Sequence, residues 1–138
     1  MITAYIDGGS RGNPGPAGYG VQIVDADGTV VAELHESLGT ATNNVAEYRG
    51  LLAALSWAVD RGLTSLHIRS DSELLVRQMR GEYRVKNAGL QPLYQEARGL
   101  IARIGRVTFE HVRREYNREA DRLANLAMDA AAAADARR

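Results

Sequence analysis

Cysteine is absent from all 138 residues, and lysine occurs once, at Lys86. The first absence removes disulfides, thiolate zinc sites and cysteine nucleophiles together. It suits a reducing compartment, and the expected localisation is cytoplasmic. The single lysine follows valine rather than glycine, which excludes a Walker phosphate loop. No nucleophile elbow is present, so serine hydrolase chemistry has no starting point. No uncharged apolar run reaches the ~18 residues that would span a membrane. The opening MITAYIDGGS lacks the basic start and apolar core of a secretory leader, so no membrane partner is expected. Hydrophobic residues make up 45% and charged residues 25%, the balance of one ordinary globular domain rather than of a disordered or fibrous chain.

The net charge of zero hides an asymmetry. Residues 1–69 carry 4 basic and 7 acidic side chains, whereas residues 70–138 carry 13 and 10. There is no strong basic excess, so charge alone does not mark a nucleic-acid binder. Any function must be sought in the pattern of residues.

Residues 2–7 alternate apolar and polar and predict a strand. GGSRGNPGPAG follows, a run that neither a helix nor a central strand should tolerate. Gly20 to Val24 and Thr29 to Leu34 read as two further strands around a DADG hairpin turn. Thr42 caps a helix with the stripe Val45, Tyr48, Leu52, Leu55 and Val59, ended by Gly62. Leu63 to Arg69 is a strand, and Ser72 to Arg80 a short helix closed by Gly81. Leu90 to Arg103 is a helix, Val107 to Val112 a fifth strand, and Asn117 to about Ala134 a last helix. The expected domain covers residues 1–130, with an Ala-rich tail at 131–138 that frays or begins a linker. This order predicts an α/β fold: a five-stranded mixed sheet, made of a three-strand antiparallel meander plus two parallel strands, with flanking helices. A right-handed crossover makes the first and fourth strands parallel neighbours.

Four acids then stand out. Asp7 and Asp71 end those two strands, although aspartate is a poor strand residue. Neighbouring strands lie only about 4.8 Å apart, so the two carboxylates would repel unless a cation sits between them. Glu47 shares a helical stripe with Leu51, Ala54 and Ala58, and Asp121 shares one with Ala124 and Met128. Both acids therefore lean toward the apolar side near a helix start, which a favourable helix dipole alone does not explain. His35, His67 and His111 lie in strand-like segments without metal-ligand spacing and read as structural.

Asp7-Gly8-Gly9-Ser10 with GNPGPAGYG, Thr42-Asn43-Asn44-Val45-Ala46-Glu47, Asp71-Ser72, and Asn117 through Ala124 (NREADRLA) together closely resemble type 1 ribonuclease H. The resemblance extends to about residue 130. It implies the ribonuclease H-like fold and an endonuclease that cuts the RNA strand of RNA–DNA hybrids with two Mg²⁺ or Mn²⁺ ions, leaving 5′-phosphate and 3′-hydroxyl ends. By the same resemblance Asp7 would bridge both ions, Glu47 and Asp71 would complete one shell, and Asp121 would belong to the other. Asn13, Asn43 and Asn44 match RNA-contacting positions, Thr42 and Asn87 a phosphate pocket for the DNA strand, and Glu73 a position near the RNA usually held by an amide. The loop before Asp121 is only VRREYN and lacks the histidine that many relatives carry there; Arg114 or Glu115 would stand in. The basic, tryptophan-rich protrusion of better-known members is also missing, leaving Arg77, Arg80, Arg84 and Lys86 to supply hybrid affinity. These departures resemble the compact subgroup, some of whose members are fused to a phosphatase domain, so a fused or separate phosphatase is an expected partner. The chain is expected to act as a monomer.

Overall fold

The computed structural model describes residues 1–137. Strands β1 (Thr3–Ser10), β2 (Gly15–Val24) and β3 (Val30–Ala41) form the antiparallel meander. Helix α1 (Asn43–Asp60) then crosses to β4 (Ser65–Ser70), which pairs with β1 in parallel. Helices α2 (Glu73–Met79) and α3 (Gln91–Ile104) precede β5 (Arg106–His111), which is parallel to β4. A single 3₁₀ turn (Arg114–Tyr116) leads into α4 (Arg118–Ala136). The sheet order is β3-β2-β1-β4-β5, the mixed five-stranded arrangement expected. Among the described residues no helix is long and apolar enough to cross a membrane.

The main core lies on one face of the sheet. Ala4, Ile6, Val21, Ile23, Leu66 and Ile68 point from the strands toward Tyr48, Leu51 and Leu55 of α1. Alternation sends Tyr5, Asp7, His67 and Arg69 to the opposite face. At the hairpin between β2 and β3, Asp25 Oδ1 accepts the N–H of Asp27 at 2.9 Å and of Thr29 at 3.0 Å. Gly28 follows at φ 82°, where a side chain would be strained.

The glycine-rich run departs from expectation. β1 continues through Gly8 and Gly9, and β2 starts at Gly15, so these glycines lie in central strands. Close helix packing is the reason. A Cβ on Gly8 would lie 2.4 Å from the Ala46 carbonyl carbon of α1, and one on Gly20 would lie 2.4 Å from the Ala120 oxygen of α4. The two helices rest directly on strand backbone, where any side chain would hold them off. β3 runs seven residues past the predicted Leu34, because its exposed edge position removes the apolar alternation that marks a strand. The Ala-rich tail, expected to fray or to begin a linker from residue 131, is helical to Ala136, with Ala131 buried.

Replacing Gly20 by Ala forces a methyl group into α4 backbone. Overpacking a tight contact costs about 1–3 kcal/mol, and backbone atoms cannot rotate away, so Gly20→Ala should fall at the upper end of that range. Urea denaturation measures it; an unchanged midpoint would contradict the packing described.

Candidate active site

The parallel register ends on Ile6 and Ser70, which brings Asp7, inside β1 rather than at its end as expected, beside Asp71, the residue after β4. Glu47 reaches them from the start of α1, where contact with Gly8 holds the helix against β1. Asp7, Glu47 and Asp71 each offer a carboxylate oxygen within 4.8 Å of the others. Asp121, in the first turn of α4, stands outside this trio, and its charge helps to raise the Asp7 carboxyl.

Asp7 is only 7% exposed. Burial, then the charges of Asp71 and Asp121, push its carboxyl up to about 8. Glu47 is raised well above the usual carboxylate range, by burial and then by Asp7 and Asp71. Asp71 is raised by burial, against the opposing pull of the Arg114 guanidinium. Glu47 Oε2 is buried and has no hydrogen-bond partner. Hard oxygen donors crowded at this spacing, one of them orphaned, fit a divalent cation better than any protein partner present.

Asn117 is a member of the site that sequence reasoning used only as part of a motif. It is 1% exposed and precedes α4, but its side chain does not cap that helix. Its amide instead donates to the Ile6 carbonyl at 2.8 Å, tying the start of α4 to the strand position before Asp7. An asparagine just ahead of a helix reads as a cap, so only the structure reveals the tether.

Most of the expected substrate residues have a side-chain oxygen engaged within the fold. Asn13 Oδ1 accepts the Asn43 N–H at 3.0 Å, and Asn43 Oδ1 accepts the Ser10 N–H at 2.8 Å. Thr42 caps α1 through the Val45 N–H at 3.2 Å, and Asn44 is exposed beside it. Asn87 lies on the loop between α2 and α3, its Oδ1 accepting the Gly89 N–H at 2.7 Å. Glu73 is exposed on α2 and pairs with Arg77 at 2.9 Å.

Other expected residues make contacts within the fold. Of the two residues proposed to stand in for the missing histidine, Arg114 reaches Asp121 at 3.8 Å. Glu115 turns elsewhere, 3.8 Å from Arg113 and along a cavity lined by Tyr5, Gln22 and Val24. Two of the four bases expected to bind hybrid are engaged within the fold. Arg77 pairs with Glu73 and with Glu82 at 3.0 Å, while Arg80 donates to the Phe109 carbonyl at 2.5 and 3.1 Å. Arg84 and Lys86 remain exposed. His111 lies in a strand as expected, as the last residue of β5, and is exposed, with Nε2 3.3 Å from the Asp71 carbonyl oxygen. The pairing of Ser70 with His111 places it there, and that follows once β5 is recognised as the parallel neighbour of β4.

A carboxyl whose pKa is higher in the folded chain holds a proton that the unfolded chain has already released. The stability this adds is complete below the ordinary Asp value of 3.8 and is lost as pH rises through about 8. Glu47 and Asp71 shift in the same direction. In EDTA, the urea midpoint should therefore fall between pH 5 and pH 8, and Asp7→Asn should flatten the fall and raise stability at pH 8. An unchanged slope in the variant would place the titration elsewhere.

Residues 5–127 match a family model described as reverse transcriptase-like. The chain is 54% identical to the bifunctional protein Rv2228c of Mycobacterium tuberculosis over 139 residues, covering 98% of this chain and 38% of that protein. It thus spans well under half the length of that relative. The solved N-terminal ribonuclease H domain of Rv2228c superposes with a TM-score of 0.94 at 51% identity, covering 97% of each chain. Ribonuclease H1 of Halobacterium salinarum aligns with a TM-score of 0.88 at 43% identity, over 93% of this chain and 97% of that one. LC11-RNase H1, solved in complex with an RNA/DNA hybrid, gives 0.90 at 42% identity, over 95% and 99% of the two chains. With sheet order, motif spacing and these matches in agreement, the chain belongs to the type 1 ribonuclease H family.

Proposed function

We propose that the chain is a metal-dependent endonuclease that hydrolyses the RNA strand of RNA–DNA hybrids. One observation carries the reading: three desolvated carboxylates share one small space, with Glu47 Oε2 left unpartnered. Asp7, Glu47 and Asp71 would hold one Mg²⁺ or Mn²⁺ ion, and Asp7 with Asp121 a second. Two such ions activate water and stabilise the leaving oxygen of an in-line displacement. Attack on phosphorus breaks the bond to the ribose 3′-oxygen, so the products carry 5′-phosphate and 3′-hydroxyl ends.

The chain's own groups select and place the substrate. The side-chain oxygens of Asn13 and Asn43 are bonded internally, which leaves their N–H₂ groups as donors toward the minor groove, where the 2′-hydroxyl distinguishes RNA. Exposed Asn44 and Glu73 would add further contacts to the RNA strand. Thr42 at the start of α1, with Asn87, supports a phosphate of the DNA strand, since helix N-termini favour anions. Arg114 adds positive charge beside Asp121. The hybrid complex of LC11-RNase H1, at 42% identity, supports the choice of substrate class.

Labelled RNA–DNA, RNA–RNA and DNA–DNA duplexes, each incubated with Mg²⁺, Mn²⁺ or EDTA, test the reading. Cleavage should be confined to RNA strands, be strongest on the hybrid and stop in EDTA. Asp7→Asn should lower the rate by at least ~10²–10³-fold, the scale of losing one preorganised contact to developing charge, while the fold persists. Near-normal cleavage by that variant, or turnover in EDTA, would overturn the proposal.

A further inference from the structure

The sheet face opposite the core carries a feature beside β4 and β5 that the catalytic reading does not use. Tyr5, Arg69 and Glu110, from three neighbouring strands, form its floor. The Arg69 guanidinium lies 5.5 Å from the Tyr5 ring centroid, donates to the Tyr5 hydroxyl at 2.6 Å, and donates to Glu110 Oε1 at 2.9 Å. The same Glu110 oxygen meets His67 Nε2 at 2.9 Å. The floor is thus internally bonded, and its main charges offset one another. His111, Val112, Arg113 and Tyr116 complete a cavity of about 460 Å³, within the ~300–1,000 Å³ range of small-ligand sites.

Two walls are left open. Tyr116 is 68% exposed, the most exposed large apolar side chain among the described residues, in a chain with one Trp and one Phe. The Arg113 side chain is 81% exposed, and its carboxylate neighbour Glu115 is 3.8 Å away. The mouth adjoins the carboxylate edge: His111 touches the Asp71 carbonyl at 3.3 Å, and Arg114, next to Arg113, reaches Asp121 at 3.8 Å.

We propose that this cavity binds the first unpaired nucleotide of a single-stranded tail that continues from the hybrid. The inference rests on the nuclease reading and extends it to substrate ends. An open aromatic face beside an open guanidinium is the combination that stacks a base and meets its phosphate. Arg69 Nη2 and Glu110 Oε2, which take no part in those bonds, offer a donor and an acceptor to a base edge and disfavour a purely apolar occupant. A base held in a pair cannot enter such a recess, so the occupant is unpaired. Continuity with the carboxylate edge makes it part of the strand being processed, not a separate ligand.

The test compares blunt RNA–DNA hybrids with hybrids bearing a short 5′ or 3′ RNA tail whose first unpaired base is 2-aminopurine. Wild-type protein should quench that fluorophore for one tail polarity and show a KM for the tailed hybrid about tenfold lower than for the blunt one. That factor is about 1.4 kcal/mol, within the range for stacking one base on an aromatic ring. Tyr116→Ala should abolish both effects, Tyr116→Phe should keep them, and Arg113→Gln should reduce them, while cleavage of the blunt hybrid stays unchanged in all three. Equal KM for blunt and tailed hybrids, or equal quenching by wild type and Tyr116→Ala, overturns the proposal. If wild-type protein cleaves no hybrid, the nuclease reading fails instead. Quenching of the labelled tail needs no turnover and still decides the cavity.

Discussion

Repulsion among Asp7, Glu47 and Asp71 is the constraint around which this molecule is arranged. Their oxygens lie within 4.8 Å of one another, in surroundings that push all three carboxyls upward. Such a cluster destabilises the fold wherever the groups ionise, and the rest of the chain must supply the difference. It does so with an apolar core on one sheet face and an Ala–Gly contact between α4 and β2 on the other. The acids therefore sit at a seam between two independently packed layers.

Close backbone approach builds that seam. Glycine at position 8 allows the first turn of α1 to touch β1, which is how Glu47 comes near Asp7. Gly18 and Gly20 do the same for α4, bringing in Asp121. The Asn117 amide then sets the start of α4 against Ile6, one residue from Asp7. Each acid arrives on a different element, and each element is held at its end nearest the cluster.

Much of this was readable from the residues. The period of α1, the DADG turn and the strand order follow from local chemistry, and the pairing of Asp7 with Asp71 follows from one rule of chirality. What could not be read depends on contacts between elements. Glycine marks a turn in one setting and a helix-bearing strand in another, and only the facing Ala46 or Ala120 decides which. The far half of β3 lost its signal because an edge strand faces water on more than one side. Arg77 and Arg80 looked free because Glu82 and the Phe109 carbonyl approach them only after folding.

The chain of bonds from Asn13 to Asn43 to Ser10 has a thermodynamic consequence. Flexible polar side chains lose rotamer freedom when they grip a ligand, at roughly 0.5–1.5 kcal/mol each. Here those two amides are pinned by backbone N–H groups before any ligand arrives, so the ordering entropy is charged to folding rather than to association. A surface prepared in this way discriminates by shape: a duplex whose groove does not match two fixed donors cannot recruit them by bending the protein. If the proposed substrate binds there, selectivity at that surface would follow groove width, in which a hybrid, a DNA duplex and an RNA duplex differ before any single base is read.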